Sequence, residues 1–164
     1  MITGIVMPTI RGTGSLFLQN LLSPPYERVT LRGEQKPFSL VFDHLYPQHI
    51  PHFERWFSVF SVMVMPIRDP MTVAATWAKR GEKFEHFFFM WERWAEYAPF
   101  AHIIPVDLEG ERDSRLERLS KEIGLELSTD WAPFNQTKTS KGGTIPQEDV
   151  QTLYNIPEIR SLYV

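Results

Sequence analysis

Two short stretches carry residue types suited to holding an anion. The first is Arg11-Gly12-Thr13-Gly14-Ser15. Glycines let the backbone come close to a charged group, and successive N–H groups at a helix start form a concavity for oxyanions. Thr13 and Ser15 add hydroxyl donors, and Arg11 adds positive charge. The second stretch runs from Arg68 through Asp69 and Pro70 to Thr76, whose hydroxyl follows the arginine by eight positions. With Pro70 opening a helix, Thr76 lies roughly 9 Å along its axis, and a long arginine side chain can converge on the same anion. Each stretch also has a plainer reading. The first is then a tight turn between strand and helix, the second a local ion pair beside a packed threonine.

Other chemistry is excluded or left without support. The first loop is not the G-x-x-x-x-G-K-[ST] cradle of magnesium-bound nucleoside triphosphates. No lysine precedes Ser15, and Thr9 stands where the first glycine would be. His49 and His52 flank Pro51, but no carboxylate cluster of ligand-like spacing joins them, so packing or surface roles and no metal are expected. His86 is expected to be solvated and His102 structural. The chain has no cysteine, which removes disulfides, thiolate nucleophiles and Cys-type zinc sites.

These residues need elements to position them. Ile2 to Met7 is a short apolar run stopped by Pro8, the pattern of a buried strand. The glycine loop follows, and Leu16–Leu22 has helical character. Arg28–Leu31 and Ser39–Phe42 are further strand candidates, and a short helix is expected over Pro51–Phe57. Val59–Met65 reads as a central strand. Asp69 then supplies an N-cap and Pro70 the first helical position of a helix that stops at Gly81. In Lys83–Tyr97, the residues Phe84, Phe87, Phe88, Trp91, Trp94 and Ala95 recur at spacings of three and four, which predicts a helix packing a broad apolar face into the core. Ala101–Val106 is the last strand, Asp113–Ile123 an amphipathic helix closed by Gly124. A polar loop spans Asn135–Thr144, followed by short helices at Gln147–Tyr154 and from Pro157. Strands alternating with helices predict an α/β three-layer sandwich with a mostly parallel central sheet.

Composition bounds the rest. At 164 residues with 43% hydrophobic content, one domain spanning 1–164 is expected. A net charge of −3 argues against a general nucleic-acid binder, so an anionic ligand must be held by a local cluster of positive groups. No stretch has the ~18 consecutive apolar residues of a membrane span, and the amino terminus lacks a signal-peptide pattern. A cytoplasmic protein is expected, with neither nucleic acid nor membrane as partner.

The Arg68-Asp69-Pro70 sequence with Thr76 resembles the 3′-phosphate motif of sulfotransferases that use 3′-phosphoadenosine 5′-phosphosulfate, which reads R-[ND]-P with a serine eight residues after the arginine. The loop Arg11–Ser15, followed by Leu18, Leu21 and Leu22, is similar to that family's 5′-phosphosulfate loop, with Arg11 matched after a one-residue shift. Asp43-His44-Leu45 with Ile50-Pro51 resembles its T-H-L-P…L-P segment. Pro105–Leu108 and Leu116–Leu125 resemble later strand and helix segments, and the loop bearing Lys138 and Lys141 is similar to a cofactor loop. The resemblance implies a P-loop NTPase-like sulfotransferase architecture. Arg68 and Thr76 would hold the 3′-phosphate; Gly12, Thr13, Gly14 and Ser15 the 5′ end, with Lys138 and Lys141 also on the cofactor. It implies Arg11 as a catalytic cation and His44 as general base, with no metal. The acceptor would be a small-molecule hydroxyl or amine, in a shallow site, one shared across a homodimer, or one formed by Phe84–Trp94. The rival readings are a P-loop-type nucleotide or small-molecule kinase, and a non-catalytic nucleotide-binding relative.

Overall fold

Apolar β-branched runs become strands and apolar residues at helical spacing become helices. The computed structural model describes residues 4–23, 26–34, 36–57, 62–124, 127 and 144–164. Its elements are β1 (Gly4–Thr9), α1 (Ser15–Leu22), β2 (Glu27–Val29), β3 (Ser39–His44), α2 (Ile50–Phe57), β4 (Val62–Ile67), α3 (Pro70–Arg80) and α4 (Phe84–Tyr97). After these come β5 (His102–Pro105), α5 (Glu109–Ile123), α6 (Gln147–Thr152) and α7 (Pro157–Tyr163). No helix among the described residues is long and apolar enough to cross a membrane.

The strands form one sheet in the order β2-β3-β1-β4-β5, and every pairing is parallel. Alternate side chains of each strand feed two cores. Ile5, Met7, Leu40 and Val64 pack with α1 and α5 through Leu18, Leu22, Leu116 and Leu119. Val6, Val41, Met65 and Ile67 face the other way, toward α2, α3, α4, α6 and α7. The result is a three-layer α/β sandwich. The aromatic face of α4 is core, as its spacing predicts: Phe87, Met90, Trp91 and Trp94 are fully buried, and Trp91 lies 5.7 Å from Trp94 between ring centroids.

Pro8 does not end the first strand. It lies within β1, in register with Asp43 of β3. The reason is which way its backbone faces. Thr9 gives its carbonyl to the Leu45 N–H on the β3 side, so Pro8, one residue back, turns its nitrogen toward β4. Ile67 gives its carbonyl to Val106 N–H on the β5 side, so Pro66 turns its nitrogen toward β1. Extending the register from Val6↔Met63, the rung after Val6 needs an N–H from residue 8 and another from residue 66. Both are proline, and neither can donate. The β1–β4 pairing accordingly reaches no further than Val6 and Met63, while β1 stays paired with β3 as far as Thr9↔His44.

Other boundaries shift by a few residues. β4 runs on to Ile67, and positions 59–61 lie outside the described residues. α5 begins at Glu109 rather than Asp113, with Glu109 and Glu111 in its first turn, where carboxylates favour the helix dipole. α3 matches expectation at both ends: the Asp69 side chain accepts from Met71 N–H, and Gly81 closes the helix at φ 67°.

Candidate functional site

In an open parallel sheet the crevice for ligands lies at the carboxyl edge, where the strand order reverses. Here that point is β1. The chain leaves it to build β3 and β2 on one side, then crosses to build β4 and β5 on the other. The loop Ile10–Gly14 sits at this place.

Gly12 and Gly14 hold the loop in its shape, with φ of 92° and 86°, values that other residues adopt only at a cost. Thr13 does not face the opening. It is fully buried, and both its hydroxyl and its N–H donate to the Ile10 carbonyl, at 2.6 and 3.2 Å, so it braces the turn. Trp77 of α3 donates its indole N–H to the Arg11 carbonyl at 2.7 Å. Gly14 serves as N-cap of α1; no side chain caps that helix, and no acidic residue stands in its first turn. Its first N–H groups therefore point out of the helix without an internal acceptor. The contrast with α3, capped by Asp69, is direct.

Arg68 and Thr76 are brought to the same loop. Arg68 is only 3% exposed, and its Nη1 donates to the Gly12 carbonyl at 3.1 Å. Burial pulls its guanidinium below the ordinary value, and the Asp107 carboxylate is the strongest influence in the opposite direction. Thr76 is 9% exposed and donates its hydroxyl to the Thr72 carbonyl at 3.2 Å. Its methyl group approaches the α-carbon side of Gly12, where a β-carbon would lie 3.8 Å away. Both residues thus sit behind the loop. Lys138 and Lys141 lie outside the described residues.

A second wall rises from the end of β3. His44 Nδ1 is 2.8 Å from Thr9 Oγ1, and that hydroxyl donates to the Asp43 carbonyl at 3.1 Å. With its one proton given to Asp43, Thr9 accepts from Nδ1–H of His44, which leaves Nε2 holding a lone pair. Burial is the main cause that holds the His44 imidazole below its ordinary value; Asp43 opposes this, and Arg11 and His49 add to it. His44 is thus a neutral ring with an acceptor nitrogen. Arg11 pairs with Glu82 at 3.0 Å, and its hydrogen bond to the Tyr46 side chain raises its pKa above the ordinary value.

Tyr46 organises this wall. It packs edge-on against His44, His49 and His86, with ring centroids 5.7 to 6.3 Å away. His86 is therefore half-buried against Tyr46 instead of solvated. His49 Nδ1 donates to the His44 carbonyl at 2.7 Å, fixing the strand end. His102 pairs with Glu122 at 2.5 Å, far along the sheet. No group of three or more metal-ligating side chains occurs among the described residues.

Tyr46, Glu82 and Asp107 were not among the candidates from sequence. Only Asp107 carried a signal, as a carboxylate just past an apolar strand. The geometry defines an all-parallel α/β protein with a glycine loop and an open helix end at its switch point. No family model matches the chain, and neither a curated protein nor a solved structure shows similarity to it.

Proposed function

We propose that this chain is a sulfotransferase-like enzyme. It binds the nucleotide end of 3′-phosphoadenosine 5′-phosphosulfate at the Ile10–Gly14 loop and passes the sulfuryl group to a small-molecule hydroxyl or amine. The observation that carries the reading is the uncapped amino terminus of α1, set directly behind a loop with two left-handed glycines. That donor set suits a compact multiply charged oxyanion, because each N–H is fixed in direction and the helix dipole adds to them.

The donor supplies the sulfuryl group and leaves as the 3′,5′-bisphosphate. The chain's own residues do the rest. Loop and helix N–H groups hold the oxyanion, and Arg11, held charged by Tyr46 and Glu82, offsets its charge. His44 Nε2 accepts the proton from the acceptor as its oxygen or nitrogen bonds to sulfur. Arg68 and Thr76, behind the loop, stand for the 3′-phosphate, with Arg68 supplying positive charge while its Nη1 holds the Gly12 carbonyl.

Calorimetry with adenosine 3′,5′-bisphosphate, without metal, tests the reading against ATP with magnesium. The bisphosphate is expected to bind, and Arg68→Ala to weaken it by about tenfold or more, the usual scale for a lost charged hydrogen bond. Folded protein that ignores the bisphosphate but takes magnesium-ATP would establish the kinase reading instead.

A further inference from the structure

Asp69 and Asp107 stand at the carboxyl ends of β4 and β5, and the proposed reaction uses neither. They are joined to each other, since the Asp69 N–H donates to Asp107 Oδ2 at 2.8 Å. Each also receives a phenol from the segment after residue 144. Tyr154 donates to Asp69 Oδ1, and Tyr163 donates to Asp107 Oδ1 at 2.5 Å. Burial raises both phenols well above their ordinary value, and the hydrogen bonds to the carboxylates raise them further. Both therefore remain protonated donors at neutral pH.

The docking of α6 and α7 does not depend on these bonds alone. Val150, Leu153 and Ile159 pack into the core beside α3 and α4. Packing alone, however, does not require Tyr163 to end on Asp107. That carboxylate has Tyr163 on one oxygen and, on the other, the Asp69 amide, which lies in the peptide that follows Arg68. Arg68 in turn holds the Gly12 carbonyl. A chain of hydrogen bonds therefore runs from α7 to the glycine loop: Tyr163 to Asp107, the Asp69 amide to the same carboxylate, and, from the residue before Asp69, the Arg68 side chain to Gly12.

We infer that Tyr163 is a positioning residue for the anion loop: it fixes the Asp107 carboxylate, which holds the Asp69 amide and with it the backbone from which the Arg68 guanidinium reaches Gly12. Its effect on ligand affinity rests on the anion-binding reading above; its effect on the loop of the free protein does not. Removing only the phenol oxygen leaves the ring and its packing in place. Asp107 then loses a charge-assisted hydrogen bond and its hold on the Asp69 amide loosens, which frees the neighbouring Arg68 from its present direction. The loop loses its anchor while the sheet stays intact.

The test is amide hydrogen exchange of free Tyr163→Phe, followed by calorimetry with adenosine 3′,5′-bisphosphate. Exchange at Thr13, whose N–H is bonded to the Ile10 carbonyl, is expected to quicken by about tenfold, the scale of one charged hydrogen bond, with amides of β3 unchanged. The bisphosphate is expected to bind about tenfold more weakly. Asp107→Asn, which keeps the shape but leaves one acceptor oxygen where Tyr163 and the Asp69 amide use two, is expected to do the same. Ser161→Ala, which removes a hydrogen bond on the exposed side of α7, is expected to leave the loop unchanged. Lower melting temperature with unaltered loop exchange in both Tyr163→Phe and Asp107→Asn would overturn the inference and leave Tyr163 a packing residue. Wild-type protein that does not bind the bisphosphate would count against the proposed function, and the loop exchange would still decide the role of Tyr163.

Discussion

At the scale of single residues, the site depends on where a few protons and charges are held. His44 is the clearest case. Its Nδ1–H goes to Thr9, and burial disfavours the imidazolium. A base whose folded value is lowered binds fewer protons in the native state than in the unfolded chain. As pH falls through about 6.5, the unfolded chain takes up the proton first, so stability declines. The decline stops once pH is below the lowered native value. His44→Gln is expected to lack this part of the slope. Urea denaturation of both proteins between about pH 7.5 and pH 5 checks it, and the difference between them is bounded by about 1.4 kcal/mol per pH unit for one proton. Identical slopes would mean that His44 titrates as freely as in the unfolded chain, and its preparation as a neutral base would have to be given up. Arg68 shows how residue type and role separate at this scale. Its identity and its position after a strand are plain in the sequence. Its bond to the Gly12 carbonyl, 56 positions away, is set by how β1 and β4 come together.

At the scale of elements, two prolines shape the carboxyl edge. Pro8 and Pro66 face the same seam and remove both donors of one rung, so β1 and β4 part after Val6 and Met63. Beyond this departure Arg68, just past β4, joins the two sides through its side-chain bond to the Gly12 carbonyl of the loop. Pro66→Ala places an N–H opposite the Pro8 carbonyl. That new amide is expected to exchange slowly, like its neighbours in the sheet, and to add about 1 kcal/mol from one backbone bond. If the new amide instead exchanges as fast as one in an exposed loop, the strands part there for another reason. The helices divide the work differently. α1 presents an open amino terminus to the edge, while α3 closes its own with Asp69 and sends Trp77 to hold the Arg11 carbonyl.

At the scale of the whole molecule, a switch point at β1 gathers the glycine loop, the Arg68–Thr76 stretch and His44 at one edge of a parallel sheet. Much of this was legible in the chain. Apolar runs near six residues long and the three-and-four spacing of α4 gave the layers, and Asp69-Pro70 with Gly81 bounded α3 closely. Strand order was not legible, because it depends on which side of β1 each crossover returns to. Nor was the course of Pro8, since Pro66, the proline that faces the same seam, lies 58 positions later. Thr13 was assigned outward on residue type; the turn satisfies its hydroxyl inward at Ile10 instead. The tyrosines that meet Asp69 and Asp107 come from 85 and 56 positions away, beyond any local pattern. The proposed function rests on the loop and the amino terminus of α1 together binding a nucleotide's phosphate end. The most direct test of that binding is a nuclear magnetic resonance titration of the backbone amides with adenosine 3′,5′-bisphosphate, without metal. Saturable shifts concentrated at Gly12, Gly14, Ser15 and Leu16 are expected. Shifts that spare these four amides, or none at all in folded protein, would contradict it.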